Sequence, residues 1–297
     1  MLAAVGSELD AADVCVWNCN HASCAIKALD AGLNVLCEKP MAYNTEQAIQ
    51  MKEAAERNGK LLMIGFVLRF ADGTKIAKDF VDNGYVGDIY YARAQYIRRH
   101  GAPGGWFCDK EKSGGGPVID LGVHVIDLSR YLCGNPKPVT VFGATFSKLG
   151  ARKNLKSVVL PWESTSDVKK KEYKFDVEDF VTAMIRFDNG LLVTAEASFS
   201  LNIEKDTGNV ELLGTKAGLT LSPFVLHTEC NDMLADTVIR ANIGEGDFFR
   251  AEMENFVNAI EGIAPCKAPA EDGVELMRIL DAIYESAETG KSVDIVR

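Results

Sequence analysis

The stretch NVLCEKPMAYNTEQA, residues 34–48, places a short apolar run directly before a glutamate, a lysine and a proline. The simplest interpretation is that Glu38 and Lys39 mark the point where a strand reaches solvent. A second interpretation is that they line a ligand site at the end of a buried strand. The segments on either side of this stretch decide between the two.

These flanking segments alternate between short apolar runs and helical periodicity. Before the stretch, DVCVWN is an apolar run that ends at Asn18, and HASCAIKALDAG repeats apolar residues at helical spacing until Gly32. After it, a helix is predicted from the N-cap Asn44 to Gly59, and LLMIGF is a third apolar run. The order is βαβαβ, which predicts a parallel sheet with right-handed crossovers.

The carboxyl ends of the three predicted strands meet at one edge of this sheet. Open α/β sheets bind their ligands at that edge. We therefore expect Glu38 and Lys39 to lie where a cofactor or substrate binds. The polar and charged candidates that gather there are Asn18, Asn20, His21, Glu38, Lys39 and Arg69.

The composition is that of a globular protein and argues against several classes of partner. The chain has 297 residues, is 47% hydrophobic and carries a formal net charge of -10, which disfavours nucleic acid and anionic membranes. It contains no apolar run of about eighteen residues and no signal-peptide pattern, so we expect a cytoplasmic protein. Because the eight cysteines form no C-x-x-C pair, we predict neither a disulfide framework nor a zinc site.

Three motifs in this order resemble one known family. CEKP follows one predicted strand, GFVLRF follows the next, and GGGPVIDLGVHVIDL comes further along the chain. Their order and spacing resemble the glucose-fructose oxidoreductase and inositol dehydrogenase family, often called Gfo/Idh/MocA, and the resemblance extends to the C-terminus. It implies an NAD(P)-dependent oxidoreductase that transfers hydride between a nicotinamide cofactor and a secondary alcohol of a sugar, glycoside or cyclitol.

The family fold implies a dinucleotide-binding domain followed by a second domain with a large, mostly antiparallel open sheet. The sequence agrees with this, because IYYARAQYI, VTVFGATF, FVTAMIRF and LLVTAEASF are β-rich runs, with a turn at Asp188–Gly190. Helical patterns return at RAEMENFVNAIEG and GVELMRILDAIYESAETG. We predict a partial Rossmann-like α/β domain at residues 1–68 and a substrate-binding and oligomerisation domain of the α+β type at residues 69–297.

The catalytic chemistry is expected in the segment SGGGPVIDLGVHVID, which is predicted to be a helix that starts at Pro117. Asp120, His124 and Asp127 then fall on one helix face and can point at one object. Oxidation of a secondary alcohol needs a group that removes the hydroxyl proton, and an ammonium near the oxygen stabilises developing negative charge. By resemblance these roles fall on His124 as acid/base, Asp120 as its partner in substrate binding and orientation, and Lys39 as the third catalytic group.

Other interpretations of this segment remain open. A histidine and an aspartate one turn apart often form only a local hydrogen bond. Asp120, His124 and Asp127 are also possible metal ligands. We predict no metal site, because helix spacing alone creates such triplets and the other histidines form no recognised ligand motif with them.

The resemblance places the cofactor along the polar edge of the first sheet. Asn20 and His21 match the loop that lies along the ribose and nicotinamide in relatives, although Cys19 stands where relatives usually carry proline. Trp106 belongs to a loop that the family places near the cofactor, and we predict it as a further contact. Arg69 either contacts the cofactor or only caps the sheet edge.

The start of the chain departs from the family pattern. Relatives open with a strand and a G-x-G-x-x-G turn, whose glycines let the pyrophosphate approach a helix N-terminus. That turn is absent here, and the glycine clusters at 101–105 and 114–116 come too late to replace it. The expected cofactor is therefore NAD or NADP without a basis for choosing, and we expect the chain as written to bind a dinucleotide poorly.

Two classes of function remain open from the sequence. Lys39, Asp120, His124 and the polar loop 98–100 favour an NAD(P)-dependent oxidoreductase with a small polyhydroxylated substrate. The absent phosphate-binding turn favours a non-catalytic binding or assembly protein derived from the same family. Relatives commonly pair through the sheet of the second domain, so a homodimer or homotetramer is expected.

Overall fold

The computed structural model describes residues 8–150, 152, 174–239 and 246–296, which form two sheets and the helices that pack on them. No helix among these residues is long and apolar enough to span a membrane. All eight cysteines carry free thiols.

The elements in chain order are β1 Ala11–Val14, α1 His21–Asp30, β2 Asn34–Glu38, α2 Thr45–Asn58, β3 Leu62–Gly65, α3 Asp72–Asp82, β4 Ile89–Ile97, α4 Lys110–Ser113, α5 Val123–Leu132, β5 Pro138–Phe146, β6 Phe180–Phe187, β7 Leu192–Ser198, β8 Thr207–Gly214, β9 Gly218–Thr220, β10 Val225–Cys230, β11 Met233–Val238, α6 Phe248–Ile260, α7 Ala270–Thr289 and β12 Val293–Asp294.

The first sheet is parallel, with strand order β1-β2-β3, and confirms the predicted βαβαβ unit. Helix α2 starts as the sequence predicts, because the Asn44 Oδ1 accepts a hydrogen bond of 2.9 Å from the Gln47 N–H. It ends at Gly59, whose φ of 59° is the left-handed conformation that glycine adopts without strain. All four residues of β3 are buried, as expected for a strand covered on both faces.

The second sheet has nine strands in the described part of the chain, in the order β11-β10-β9-β8-β4-β7-β6-β5-β12. Only β4 and β7 pair in parallel, so the prediction of a mostly antiparallel sheet is confirmed. Strands β4 and β6 have the predicted limits. The sequence analysis did not predict β8 to β11. Strand β11 is exposed along nearly its whole length and shows no apolar alternation that could have revealed it.

Helix α7 returns to the first sheet from the far end of the chain. Its start is joined to β3 by the bridge between Met63 and Pro269, and the Asp281 carboxylate accepts a bond of 2.7 Å from the Thr45 N–H. A Cβ atom at Gly273 would lie 2.5 Å from the Met41 sulfur and 3.0 Å from Ile64 Cγ1, so a larger residue would have to displace the Met41 side chain. The C-terminal helix therefore completes the core beneath the first sheet, and the predicted boundary near residue 68 stays a prediction.

A buried ion network ties the end of the first sheet to α5 and α7. The Arg69 side chain is 0% exposed and donates to both carboxylate oxygens of Asp127, at 2.9 and 2.5 Å. It also donates to Asp272 at 2.8 Å and to the Lys267 carbonyl at 2.6 Å. Arg130 donates to the second oxygen of Asp272 at 2.8 Å, so two guanidinium groups balance two carboxylates.

This network corrects the expectation that Arg69 contacts the cofactor. Its guanidinium is packed between the rings of Phe66 and Tyr131, 4.9 and 4.8 Å from their centroids. No part of the side chain reaches the surface where a dinucleotide could bind. Arg69 is a structural cation that lies just beyond the third strand.

Removing this cation is expected to destabilise the fold strongly. Arg69→Met leaves the buried Asp127 carboxylate without its partner, and we expect the free energy of unfolding to fall by about 3–5 kcal/mol. The matched control is Arg57→Met, which removes a solvent-exposed Arg–Asp pair with Asp30 and should change stability little. Urea titration of both variants checks this, and equal effects would show that burial of Arg69 is not what matters.

Candidate active site

The centre of the site is an ion pair between the two segments that the sequence singles out. The Lys39 Nζ, directly after β2, donates to the Asp120 carboxylate and to the Asp120 carbonyl, both at 2.9 Å. The two side chains are 16% and 14% exposed, so the pair is shielded but reachable. The structure thus brings together Lys39 and Asp120 across the two parts of the fold.

The segment that carries Asp120 is not the regular helix that the sequence predicts. Val118–Gly122 forms a π-helical turn, in which the Val123 N–H bonds to the Val118 carbonyl five residues back, and the α-helix begins only at Val123. A π turn is wider than an α turn, so it changes which residues share a face. Such turns are frequent at functional sites.

The wider turn corrects the expectation that Asp120, His124 and Asp127 point at one object. Asp120 faces Lys39, whereas Asp127 faces the buried Arg69. These two carboxylates therefore diverge and cannot ligate one ion. No group of three His, Cys, Asp or Glu side chains among the described residues is placed to hold a metal.

His124 is partly exposed and lies close enough to Lys39 and Arg98 to be affected by their charges. Its pKa is lowered well below the usual value, first by burial and then by the positive charges of Lys39 and Arg98. All three effects disfavour the imidazolium. His124 is therefore neutral near pH 7, which is the form that can accept a proton from an alcohol.

We expect this electrostatic effect to be visible in a direct titration of His124. NMR of the imidazole resonances should give a midpoint below the ordinary value of 6.5. Lys39→Met should move the midpoint upward, and Arg98→Met should move it upward by less, because Lys39 has the larger effect. A His124 midpoint at or above 6.5, or one insensitive to both variants, would contradict this account.

Two of the residues predicted to contact the cofactor are buried and engaged with the backbone. Asn18 donates from its side chain to the Ser113 carbonyl at 2.7 Å. The two ring nitrogens of His21 lie 2.7 and 3.1 Å from the carbonyl oxygens of Pro40 and Val16. His21 is 1% exposed, so the expectation that it lies along the cofactor is corrected to a role in fixing the loop after Lys39.

The remaining candidates at this edge are accessible. Asn20 is exposed and stands at the start of α1. Glu38 is partly buried and accepts the Lys39 N–H at 3.1 Å, and burial raises the pKa of its carboxyl. Trp106 stacks on Phe107 with 4.0 Å between ring centroids, and its contact with a cofactor stays a prediction.

Glu252 of α6 is a further member of this edge that the sequence did not reveal. Its side chain is buried, and its Oε1 has no hydrogen-bond partner among the described residues. Burial raises its pKa to about 8, with added effects of the negative charges of Glu38 and Asp13. An unpaired buried polar atom beside Glu38 fits a site that a polar ligand completes. Nothing in the helical pattern around Glu252 distinguishes it from a surface glutamate.

The arrangement can perform one half of an alcohol oxidation. A neutral imidazole can take the hydroxyl proton, and an adjacent ammonium can stabilise the oxygen that loses it. The other half, hydride transfer, requires a dinucleotide of the kind that parallel sheets bind at this edge. Fold and site together define the class of nicotinamide-dependent oxidoreductases.

Comparison with known families confirms the class and the resemblance. Residues 1–66 match the oxidoreductase family with an NAD-binding Rossmann fold, and residues 74–220 match the GFO/IDH/MocA C-terminal domain. The chain belongs to the Gfo/Idh/MocA oxidoreductase family, whose cofactor is a nicotinamide dinucleotide.

The most informative relatives cover nearly all of the chain. D-glucoside 3-dehydrogenase of Escherichia coli (strain K12) is 37% identical over 96% of this chain and 79% of its own length. Levoglucosan dehydrogenase of Pseudarthrobacter phenanthrenivorans is 27% identical over 97% of this chain and 80% of its own length. A structure of levoglucosan dehydrogenase in complex with NADH and levoglucosan superposes with a TM-score of 0.80 at 25% identity, covering 97% of this chain and 80% of that chain.

Proposed function

We propose that this protein transfers hydride between NAD or NADP and a secondary alcohol of a sugar, glycoside or cyclitol. The observation that carries the proposal is the Lys39 ammonium held by Asp120 beside a neutral His124 at the ligand-binding edge of the first sheet. Lys39, Asp120 and His124 are assigned to the catalytic set. Asn20, Glu38 and Lys39 are assigned to the nicotinamide half of the cofactor.

Each catalytic residue has a separate task in the proposed reaction. The cofactor supplies the acceptor for the hydride that leaves the alcohol carbon. His124 accepts the hydroxyl proton on a ring nitrogen, and Lys39 donates a hydrogen bond to the alcohol oxygen as negative charge develops there. Asp120 orients the ammonium through two acceptors, which restricts the positions that Lys39 can occupy.

D-glucosides are the substrate class to test first. The relative with 37% identity acts on a D-glucoside, and a second relative acts on levoglucosan. The partly exposed Arg98, whose charge acts on His124, fits a hydroxyl-rich ligand beside the reacting group. These similarities support a cyclic sugar as the substrate.

Substitution of either catalytic residue should reduce turnover more than binding. In a form of the protein that binds the dinucleotide, with methyl β-D-glucopyranoside and either NAD or NADP, His124→Ala and Lys39→Ala should each lower kcat by roughly a hundredfold or more. The Kd of the dinucleotide for His124→Ala, measured by calorimetry, should stay close to that of the wild type. His227→Ala is the matched control, because this exposed histidine pairs with Asp236 on the second sheet.

Two outcomes would contradict the proposal. Wild-type turnover in both variants on a confirmed sugar substrate would remove Lys39 and His124 from the catalytic set. No turnover by the wild type on a panel of glucosides, aldoses and cyclitols with either dinucleotide would favour the alternative, a non-catalytic binding or assembly protein. The cytoplasmic location expected from the sequence stays a prediction.

We also propose that the protein is a homodimer or homotetramer that pairs through the second sheet. Strands β5 and β6 carry an apolar face on which Phe142 and Met184 are direct cross-strand neighbours, 51% and 48% exposed, with Phe146 at 40% on the same side. Adjacent exposed apolar side chains of this kind mark interaction surfaces.

Sedimentation at micromolar concentration should therefore give a mass of at least twice the 32.3 kDa of one chain. The double variant Phe142→Lys, Met184→Glu should shift the protein toward the monomer, because it places charges at the centre of the face. The matched control is Met233→Glu with Leu234→Lys, two exposed residues at the start of β11. A monomeric wild type, or a double variant that assembles like the wild type, would contradict this.

A further inference from the structure

We propose that Glu178 is a positioning residue for the active site, because its buried carboxylate fixes the start of the segment that holds Asp120 against Lys39. The kinetic part of this inference rests on the proposed function. Its structural part does not, and the two are tested by separate measurements.

Glu178 lies just before β6 and clamps the backbone at the start of the π turn. Its side chain reaches the Gly116 N–H with both carboxylate oxygens at 3.0 Å and the Val118 N–H with Oε1 at 3.1 Å. The Tyr284 hydroxyl of α7 donates to the same carboxylate at 2.9 Å. Pro117 has no N–H, so Glu178 accepts from both donors that flank it. The glutamate is 8% exposed, so its oxygens have little competing solvent.

Gly116 transmits this contact to Asp120. Its N–H is held by Glu178, and its carbonyl accepts the N–H groups of Ile119 at 3.1 Å and Asp120 at 3.0 Å. Asp120 in turn presents its own carbonyl and its carboxylate to the Lys39 ammonium. Both acceptors can reach one ammonium only while the backbone at residue 120 is fixed, and Gly116 fixes it.

The glycines before Pro117 are required by this clamp. A Cβ atom at Gly115 would lie 1.8 Å from the Tyr284 hydroxyl oxygen, and one at Gly116 would lie 2.2 Å from the Glu178 carbonyl oxygen. No side chain fits at either position without displacing the clamp. The glycine cluster that is too late in the sequence to bind a phosphate therefore serves the active-site segment instead.

The charge of Glu178 also suits its place. A carboxylate at the N-terminal end of a helical segment interacts favourably with the helix dipole, and charge-assisted hydrogen bonds are stronger than neutral ones. Glu178→Gln keeps the size of the side chain but replaces one acceptor oxygen with an NH₂ group, which cannot accept from an N–H. With the NH₂ group at the Oε2 position it faces the Gly116 N–H, donor against donor. With the NH₂ group at the Oε1 position the Val118 N–H and the Tyr284 hydroxyl lose their acceptor. Either arrangement leaves a buried site unsatisfied and releases the start of the π turn.

The neighbouring residue provides a matched control. Asp179 is 2% exposed, and its Oδ2 also accepts backbone N–H groups, those of Lys148, Leu149 and Gly150. It therefore makes the same kind of buried cap one residue away, on a loop that does not carry Asp120. Asp179→Asn should destabilise the protein by a comparable mechanism without releasing the active-site segment.

The first measurement needs neither substrate nor cofactor. Reductive methylation of the lysines, followed residue by residue by mass spectrometry, reports how firmly the Lys39 ammonium is held. Glu178→Gln should raise the rate at Lys39 severalfold, while Asp179→Asn should leave it near the wild-type rate at equal loss of thermal stability. Lys60, which is distant from the clamp in sequence and lies before β3, is the internal reference for reagent reactivity.

The second measurement is kinetic, with methyl β-D-glucopyranoside and NAD or NADP. Glu178→Gln should lower kcat by roughly tenfold to a hundredfold, because a misplaced catalytic group slows the reaction more than it weakens binding. The dinucleotide Kd should not change. Asp179→Asn should keep kcat within about twofold of the wild type, as expected for a change outside the site.

The outcomes separate the two proposals. Equal Lys39 methylation rates in Glu178→Gln, Asp179→Asn and the wild type would overturn the positioning role. A raised methylation rate together with full turnover in His124→Ala and Lys39→Ala would support the positioning role and overturn the proposed function. If Glu178→Gln does not fold, Tyr284→Phe removes only the tyrosine hydrogen bond to the clamp. It should raise the Lys39 rate by a smaller factor, and no rise would overturn the inference.

Discussion

The buried guanidinium of Arg69 is the constraint on which the rest of the structure depends. A cation with no solvent exposure is tolerated only if anions and carbonyls surround it, and here they come from α5, α7 and the segment before α7. These acceptors are far apart in sequence, and their hydrogen bonds to the one Arg69 side chain bring α5 and α7 together at the end of β3. The convergence places α5 beside the edge of the first sheet. That placement brings Asp120 within reach of Lys39.

The active-site segment is held at two points. A carboxylate from another part of the chain holds its start, and one of its own carboxylates holds it further along. At its start, Glu178 binds the backbone on either side of Pro117. Further along, Asp127 anchors the helix to Arg69. Between the two anchors lies the π turn, which directs Asp120 away from Asp127. A regular helix between the same anchors would place both carboxylates on one face, so the turn is what directs Asp120 to Lys39 while Asp127 stays on Arg69.

The sequence predicts those parts of the fold that depend on local patterns. Asn44 as an N-cap, Gly59 as a helix end and strand β4 follow from side-chain chemistry within a few residues, and the structure confirms them. Lys39 and Asp120 were singled out by the motifs CEKP and GGGPVIDLGVHVIDL, and each motif is a short continuous stretch of sequence.

The sequence failed where the deciding partner is distant. Arg69 looks like an edge residue until Asp127 and Asp272 surround it, and His21 looks like a ligand contact until Pro40 and Val16 present their carbonyls. The start of the π turn is likewise held by Glu178, which lies 60 residues from Val118 in the sequence. Helical periodicity cannot reveal a partner at that distance.

Basic and acidic side chains occupy different parts of the edge of the first sheet. Their charges help to explain the lowered pKa of His124 and the buried, unpaired oxygen of Glu252. Burial, and then the positive charges of Lys39 and Arg98, lower the pKa of His124 and favour the neutral imidazole. Glu38 and Glu252 belong to the acidic part of this edge, where burial first, and then the negative charge of neighbouring carboxylates, raises the pKa of both carboxyl groups. Because the pKa of Glu252 is raised to about 8, this residue is mainly a neutral acid near pH 7. A neutral carboxyl group costs far less to bury than a carboxylate, so an oxygen of Glu252 can remain unpaired beside two other acids. The same protonation leaves Glu252 able to donate a hydrogen bond to a polar ligand at this edge of the sheet.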